Sequence, residues 1–123
     1  MANVSTEFGS VESRTLFAGT EVAALTSSVT LAGGQGVLKK GAVLGKVTAD
    51  GKYKLVDKNA ADGSQVASVV LAEDVDTSAG DQPAVVYTQG IFNYDVLYVA
   101  AGDTVEAHKE ELRAGNIYYK TDF

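Results

Sequence analysis

Residues 37–76 read VLKKGAVLGKVTADGKYKLVDKNAADGSQVASVVLAEDVD, three strand-like runs divided by two turn signals. Val43, Leu44 and Val47 lead into Asp50-Gly51, and Tyr53, Leu55 and Val56 follow. An Asp-Gly pair between β-rich runs predicts a hairpin. A two-residue type I′ turn needs positive φ at both central positions, and Asp and Gly tolerate that best. Asp62-Gly63 marks a second reversal for the same reason. Residues 66–72 then form an apolar run of a length suited to a buried strand and short for a helix.

Outward from this stretch the chain stays β-rich. In residues 21–31, Val22, Ala24, Thr26, Ser28 and Thr30 share one parity, while Ala23, Leu25, Val29 and Leu31 share the other. That alternation predicts a strand with one buried face. Gly33-Gly34-Gln35-Gly36 reads as a flexible turn, and Lys39-Lys40-Gly41 as another before a strand over 42–48. Residues 58–63 form a polar loop. Residues 73–82 are acidic and turn-rich, closed by Pro83. Strands are expected over 84–88, over 91–99 with a break near Asp95, and over 117–120, with a turn at Gln89-Gly90. One helix is expected over 103–114. Asp103 is its N-cap, Glu106 completes a capping-box-like pair, Val105, His108 and Leu112 share a face, and Gly115 is the left-handed residue beyond the end. The fold class is therefore α+β, mainly β: a compact small domain with hairpins and one C-terminal helix.

Residues 1–20 differ. They are polar, with isolated Val4, Phe8, Val11, Leu16 and Phe17, and sustain neither strand nor helix periodicity. The expected division is a flexible arm over 1–20 and a β-rich domain over 21–123. Phe8, Val11, Leu16 and Phe17 are costly to leave in water, which makes them the candidate contacts of an arm that orders on a partner; the alternative is a tail with no role.

The 123 residues suffice for one domain with a modest core. The absence of cysteine excludes a disulfide framework and a Cys-based zinc site. No signal peptide is expected, and no apolar run approaches the ~20 residues of a membrane span. The formal charge of −6 argues against a nucleic-acid partner, which requires a basic face. Lysines 39, 40, 46, 52, 54 and 58 gather around the hairpin, whereas acids dominate the later half. These are either solvated faces or complementary surfaces between subunits or with a partner.

No catalytic, cofactor-binding or metal site is expected. The single histidine, His108, reads as an ordinary helix-face or surface residue, and no G-x-S-x-G elbow accompanies it. The glycine cluster has Lys39 where the third glycine of G-x-G-x-x-G belongs and no Gly-Lys-Ser/Thr close. Asp74, Asp76 and Ser78 imitate a calcium loop, but Ala79 and Val85 stand where glycine and a bidentate Glu are needed, leaving an acidic loop. Asn3-Val4-Ser5 matches a glycosylation sequon without a secretory route.

Three motifs carry a resemblance: LKKGAVLGKVTADGKY at 38–53, AADGSQVASVVLAEDVD at 60–76 and LRAGNIYYK at 112–120. In this order and spacing, from about Val22 to the C-terminus, the chain resembles the lambda-type phage head decoration proteins (the D proteins). The resemblance implies a non-enzymatic protein made in the bacterial host cytoplasm. It would sit as homotrimers on the outer surface of the virion capsid, at three-fold and quasi-three-fold positions, and clamp neighbouring major capsid proteins. It also implies an N-terminal arm that is mobile when free and pairs with capsid strands when bound. A second resemblance competes. GVLKKGAVLGKV followed by Asp57-Lys58 is similar to lipoyl and biotinyl carrier domains, which would make Lys58 a modified lysine. Against it, the Asp50-Gly51 hairpin intervenes and Asn59 follows Lys58 where a small apolar residue is usual.

Overall fold

The computed structural model describes residues 24–120. They form strands β1 (Leu25–Leu31), β2 (Val37–Leu38), β3 (Val43–Lys46), β4 (Tyr53–Leu55), β5 (Val69–Leu71), β6 (Val75–Asp76), β7 (Gln82–Asn93) and β8 (Ile117–Lys120). The one α-helix, α1 (Lys109–Ala114), follows a 3-10 turn over Glu106–His108. The mainly-β expectation with one short C-terminal helix holds.

The sheet runs β1-β4-β3-β5-β7, and β7 pairs back with β1, so five strands close into a small barrel. The long strand β7 makes this possible. Its first half pairs antiparallel with β1, from Leu31↔Gln82 to Thr26↔Tyr87, and with β5. Its second half, Gly90 to Asn93, pairs parallel with β8. The turn expected at Gln89-Gly90 is therefore absent. The chain stays extended through Gly90 because β8 takes up the ladder where β5 leaves it. The break near Asp95 is present as a 3-10 turn over Tyr94–Val96, capped by the Asn93 side chain on Asp95 N.

Both faces of β3 and β5 are buried. Leu44, Val69 and Leu71 join Leu31, Ala84 and Val86 in one cluster inside the barrel. Val43 and Val70 point the opposite way, into a second cluster with Phe92, Leu97, Val105, Leu112 and Ile117 under the helix. This explains why 66–72 reads as an unbroken apolar run rather than an alternation: a strand between two cores needs apolar residues on both sides.

Four local expectations change. First, the β3–β4 reversal is a four-residue loop over 48–51, closed by Val47 N to Lys52 O at 2.8 Å and Gly51 N to Val47 O at 2.8 Å. Gly51 has φ +72°, but among the described residues the only non-glycine with positive φ is Asn116, so Asp50 is not left-handed and the turn is not type I′. Second, the same fact moves the left-handed residue after the helix. Gly115 has φ −98° and Asn116 has φ +67°, and an Asn there tolerates the conformation through its short polar side chain. Third, the helical segment begins at Glu106. Thr104 Oγ1 accepts from Ala107 N at 3.2 Å, whereas Asp103 is drawn inward to other partners and does not cap. Fourth, the glycine-rich turn is fastened rather than loose. Gln35 Nε2 donates to Ala32 O at 2.7 Å while its Oε1 accepts from Leu55 N at 2.9 Å, so this side chain fills the gap between β1 and β4. Buried Thr77 holds Gly34 and Gly36 through its backbone.

Candidate interaction surface

β1 departs most from its expected environment. The alternation predicts one buried face, yet within it only Leu31 is buried and Val29 is half-buried; the rest is exposed. Leu25 is 51% exposed and Val85, opposite Ser28, is 39% exposed. The pattern fails because the barrel closes at the Leu31 end. Beyond it, β1 runs on past the core with β7 as its only neighbour along one edge. Among the described residues its other edge meets only β4, at Leu31↔Tyr53. Among the described residues no strand pairs with Thr26 to Thr30 on that edge, which makes it a template for a further strand. Residues 1–23 lead directly into this strand. Phe8, Val11, Leu16 and Phe17 lie outside the described residues.

The loops that carry Asp50-Gly51 and Asp62-Gly63 come together. Thr48 N donates to Asp62 O at 2.8 Å, so the second reversal packs on the first loop. Gly63, at φ +104°, lies so close to Thr48 and Lys46 that a Cβ would strike both. Asp50 Oδ1 accepts from Lys52 N at 3.0 Å. The Asp62 carboxylate accepts from the Ser64 hydroxyl and backbone N–H and from Lys54 Nζ, which hold it well below the ordinary carboxylate range. Lys52 pairs with Asp81 in the same way. Part of the lysine cluster is thus matched within the chain, in exposed pairs that contribute little stability. These four turn residues shape the barrel.

The acidic loop is likewise self-capped: Asp76 Oδ1 accepts from Ser78 N at 2.9 Å and Asp74 Oδ1 from Lys40 N at 2.8 Å. Among the described residues no group of three or more His, Cys, Asp or Glu could hold a metal ion. Lys58 lies in a turn after β4, not at the tip of a hairpin between paired strands, and its backbone N–H is bound to Asp103 Oδ2 at 2.9 Å. That geometry does not suit a carrier lysine, which must stand clear of the domain to be modified.

His108 corrects the sequence reading. It is not a surface residue but buried, at 2% exposure. Its Nε2 lies 2.6 Å from Asp103 Oδ2 and its Nδ1 2.6 Å from Glu111 Oε1. The spacing Asp103–His108–Glu111 carried a signal: a histidine on the same face as Val105 and Leu112 points at the core, and a buried ring needs polar partners.

No curated protein matches the chain. A family model does: that of the bacteriophage lambda head decoration protein D matches residues 6–116, which takes in every described element except β8. With most of its length matched, the chain belongs to the bacteriophage lambda head decoration protein D family, structural proteins of the phage head that bind the capsid.

Proposed function

We propose that the chain decorates the outer surface of a phage capsid as homotrimers at three-fold and quasi-three-fold positions, clamping neighbouring major capsid proteins. The observation that supports this most is β1: a seven-residue strand in which only Leu31 is buried and Val29 half-buried, whose second edge meets, among the described residues, only β4 at Leu31, and from which residues 1–23 continue. A strand held out in this way, on a domain that already has a buried core, suits main-chain pairing with another chain. Residues 1–20 form the capsid-binding arm, with Phe8, Val11, Leu16 and Phe17 as its apolar contacts. A segment this polar buries too little apolar surface by itself to offset its ordering entropy, and a capsid strand supplies the missing partner. Three arms on one trimer make modest contacts add through avidity. Synthesis in the host cytoplasm and delivery to the outside of the head follow from the same role.

Cosedimentation with expanded, undecorated capsid shells tests the reading. The protein pellets with the shells up to a fixed stoichiometry, and reconstructions show density at three-fold positions. Density of isolated monomers away from three-fold sites, or no saturable binding, contradicts it. Light scattering over a concentration series reads the oligomeric state of the free protein separately.

A further inference from the structure

We propose that His108 is an alkaline-labile pin: as an imidazolium it joins two carboxylates that grip the two ends of the 56–68 loop, and its deprotonation as pH rises frees the Glu111 end first. The geometry carries this. Asp103 Oδ2 accepts from His108 Nε2 at 2.6 Å and from Lys58 N at 2.9 Å, near the start of that loop. Glu111 Oε1 accepts from His108 Nδ1 at 2.6 Å and from Ala67 N at 2.8 Å, near its end. One ring therefore ties the helix to both ends of the segment joining β4 to β5.

A neutral imidazole carries one N–H and one lone pair. With a carboxylate oxygen at each nitrogen, the neutral ring sets that lone pair against negative charge. Only the charged ring donates to both, in short charge-assisted bonds. The side chains of His108 and Asp103 are 3% and 1% exposed, so water cannot readily replace either partner.

The surrounding charges agree. Burial disfavours the charged ring, but the hydrogen bonds to Asp103 and Glu111 outweigh it and raise the His108 pKa above its ordinary 6.5. Burial likewise works against the Asp103 carboxylate, and the bonds from His108, Thr104 N and Lys58 N outweigh it, lowering its pKa below 3.8. The charged groups that act on the ring are Asp103 and Glu111; Tyr119 of β8 interacts instead with Glu106 and Tyr94, and Arg113 pairs with Glu110 in solvent. Val105 and Leu112, on the same helical face as His108, belong to the buried apolar cluster under the helix.

The sign follows by linkage. A raised histidine pKa contributes stability that is fully present below 6.5 and lost as pH rises through the higher folded-state value. The lowered Asp103 pKa contributes stability present above 3.8 and lost as pH falls through its folded-state value. His108 therefore sets the alkaline limb. Glu111 lets go first because its side chain is 34% exposed and water can solvate it, whereas Asp103 has no such exit.

Nitrogen NMR of the full chain, labelled at histidine and at backbone amides, tests the pin without any capsid. Below pH 6.5 both ring nitrogens should show imidazolium shifts, with the titration midpoint above that value. The Ala67 amide should move with that midpoint, and further than the Lys58 amide. Glu111→Gln keeps an acceptor oxygen for Ala67 while removing the charge, and should shift the midpoint down. A titration midpoint at or below 6.5, an Ala67 amide that ignores the ring's titration, or a midpoint unchanged in Glu111→Gln each overturns the proposal.

Discussion

β1 and the pair β3–β5 belong to one sheet and meet opposite environments. Val43, Leu44, Val70 and Leu71 are fully buried, one set facing the barrel interior and the other the helix. β1 is longer than β3 and β5, yet of its seven residues only Leu31 is buried. The central strands are fixed by burial on two sides. β1 is fixed by its ladder to β7, whose register runs unbroken from Thr26 to Leu31. A protein can thus hold a strand rigidly without spending its surface, and that surface then remains for another chain.

Substitutions can break this contrast at either end. The largest effect is expected at Gly45 in β3, where a Cβ would strike the carbonyl oxygens of Ser64 and Val66. Gly45→Val should cost roughly 3 kcal/mol or more, since the contacts are backbone and cannot swing away. Urea denaturation reads this as a large drop in midpoint. Leu44→Ala empties a fully buried site and should cost about 2–4 kcal/mol by the same measurement. Gly51→Val should cost about 1–2 kcal/mol, because φ +72° is strained for a β-branched residue while the space around it is nearly open. An unchanged melting temperature there would show that the loop rearranges freely. Smallest for stability is Leu25→Ser on β1, within about 0.5 kcal/mol, as for other exposed sites. The contrast predicts that this quiet substitution, and not the three costly ones in folded form, weakens binding to capsid shells in a cosedimentation titration.

The sequence showed the barrel's material and not its closure. The apolar run at 66–72, the Asp-Gly pairs and the break near Asp95 all report local needs, and each appears in the structure as a strand, a reversal or a 3-10 turn. Closure depends on β7 pairing with β1 across more than fifty residues of chain, which no local pattern encodes. Gln89-Gly90 misled because a glycine signals a turn only when no ladder continues through it, and here β8 supplies one. Asp103 misled for a related reason: its carboxylate had a choice between the first-turn amides and a buried ring, and only tertiary structure decides. The exposure of β1 was equally hidden, since alternation records which residues could be buried and not whether a second layer arrives to bury them.

The central claim is that β1 and the residues leading into it carry the capsid contact, while the barrel positions them. Deletion of residues 1–20 tests it most directly, with binding to undecorated shells measured under limiting protein and folding checked by thermal melting. The truncated chain should keep its melting temperature and oligomeric state and bind at least about tenfold more weakly, a loss of ~1.4 kcal/mol or more. Shells decorated by the truncated chain at full-length occupancy would contradict it and move the binding surface onto the body of the barrel.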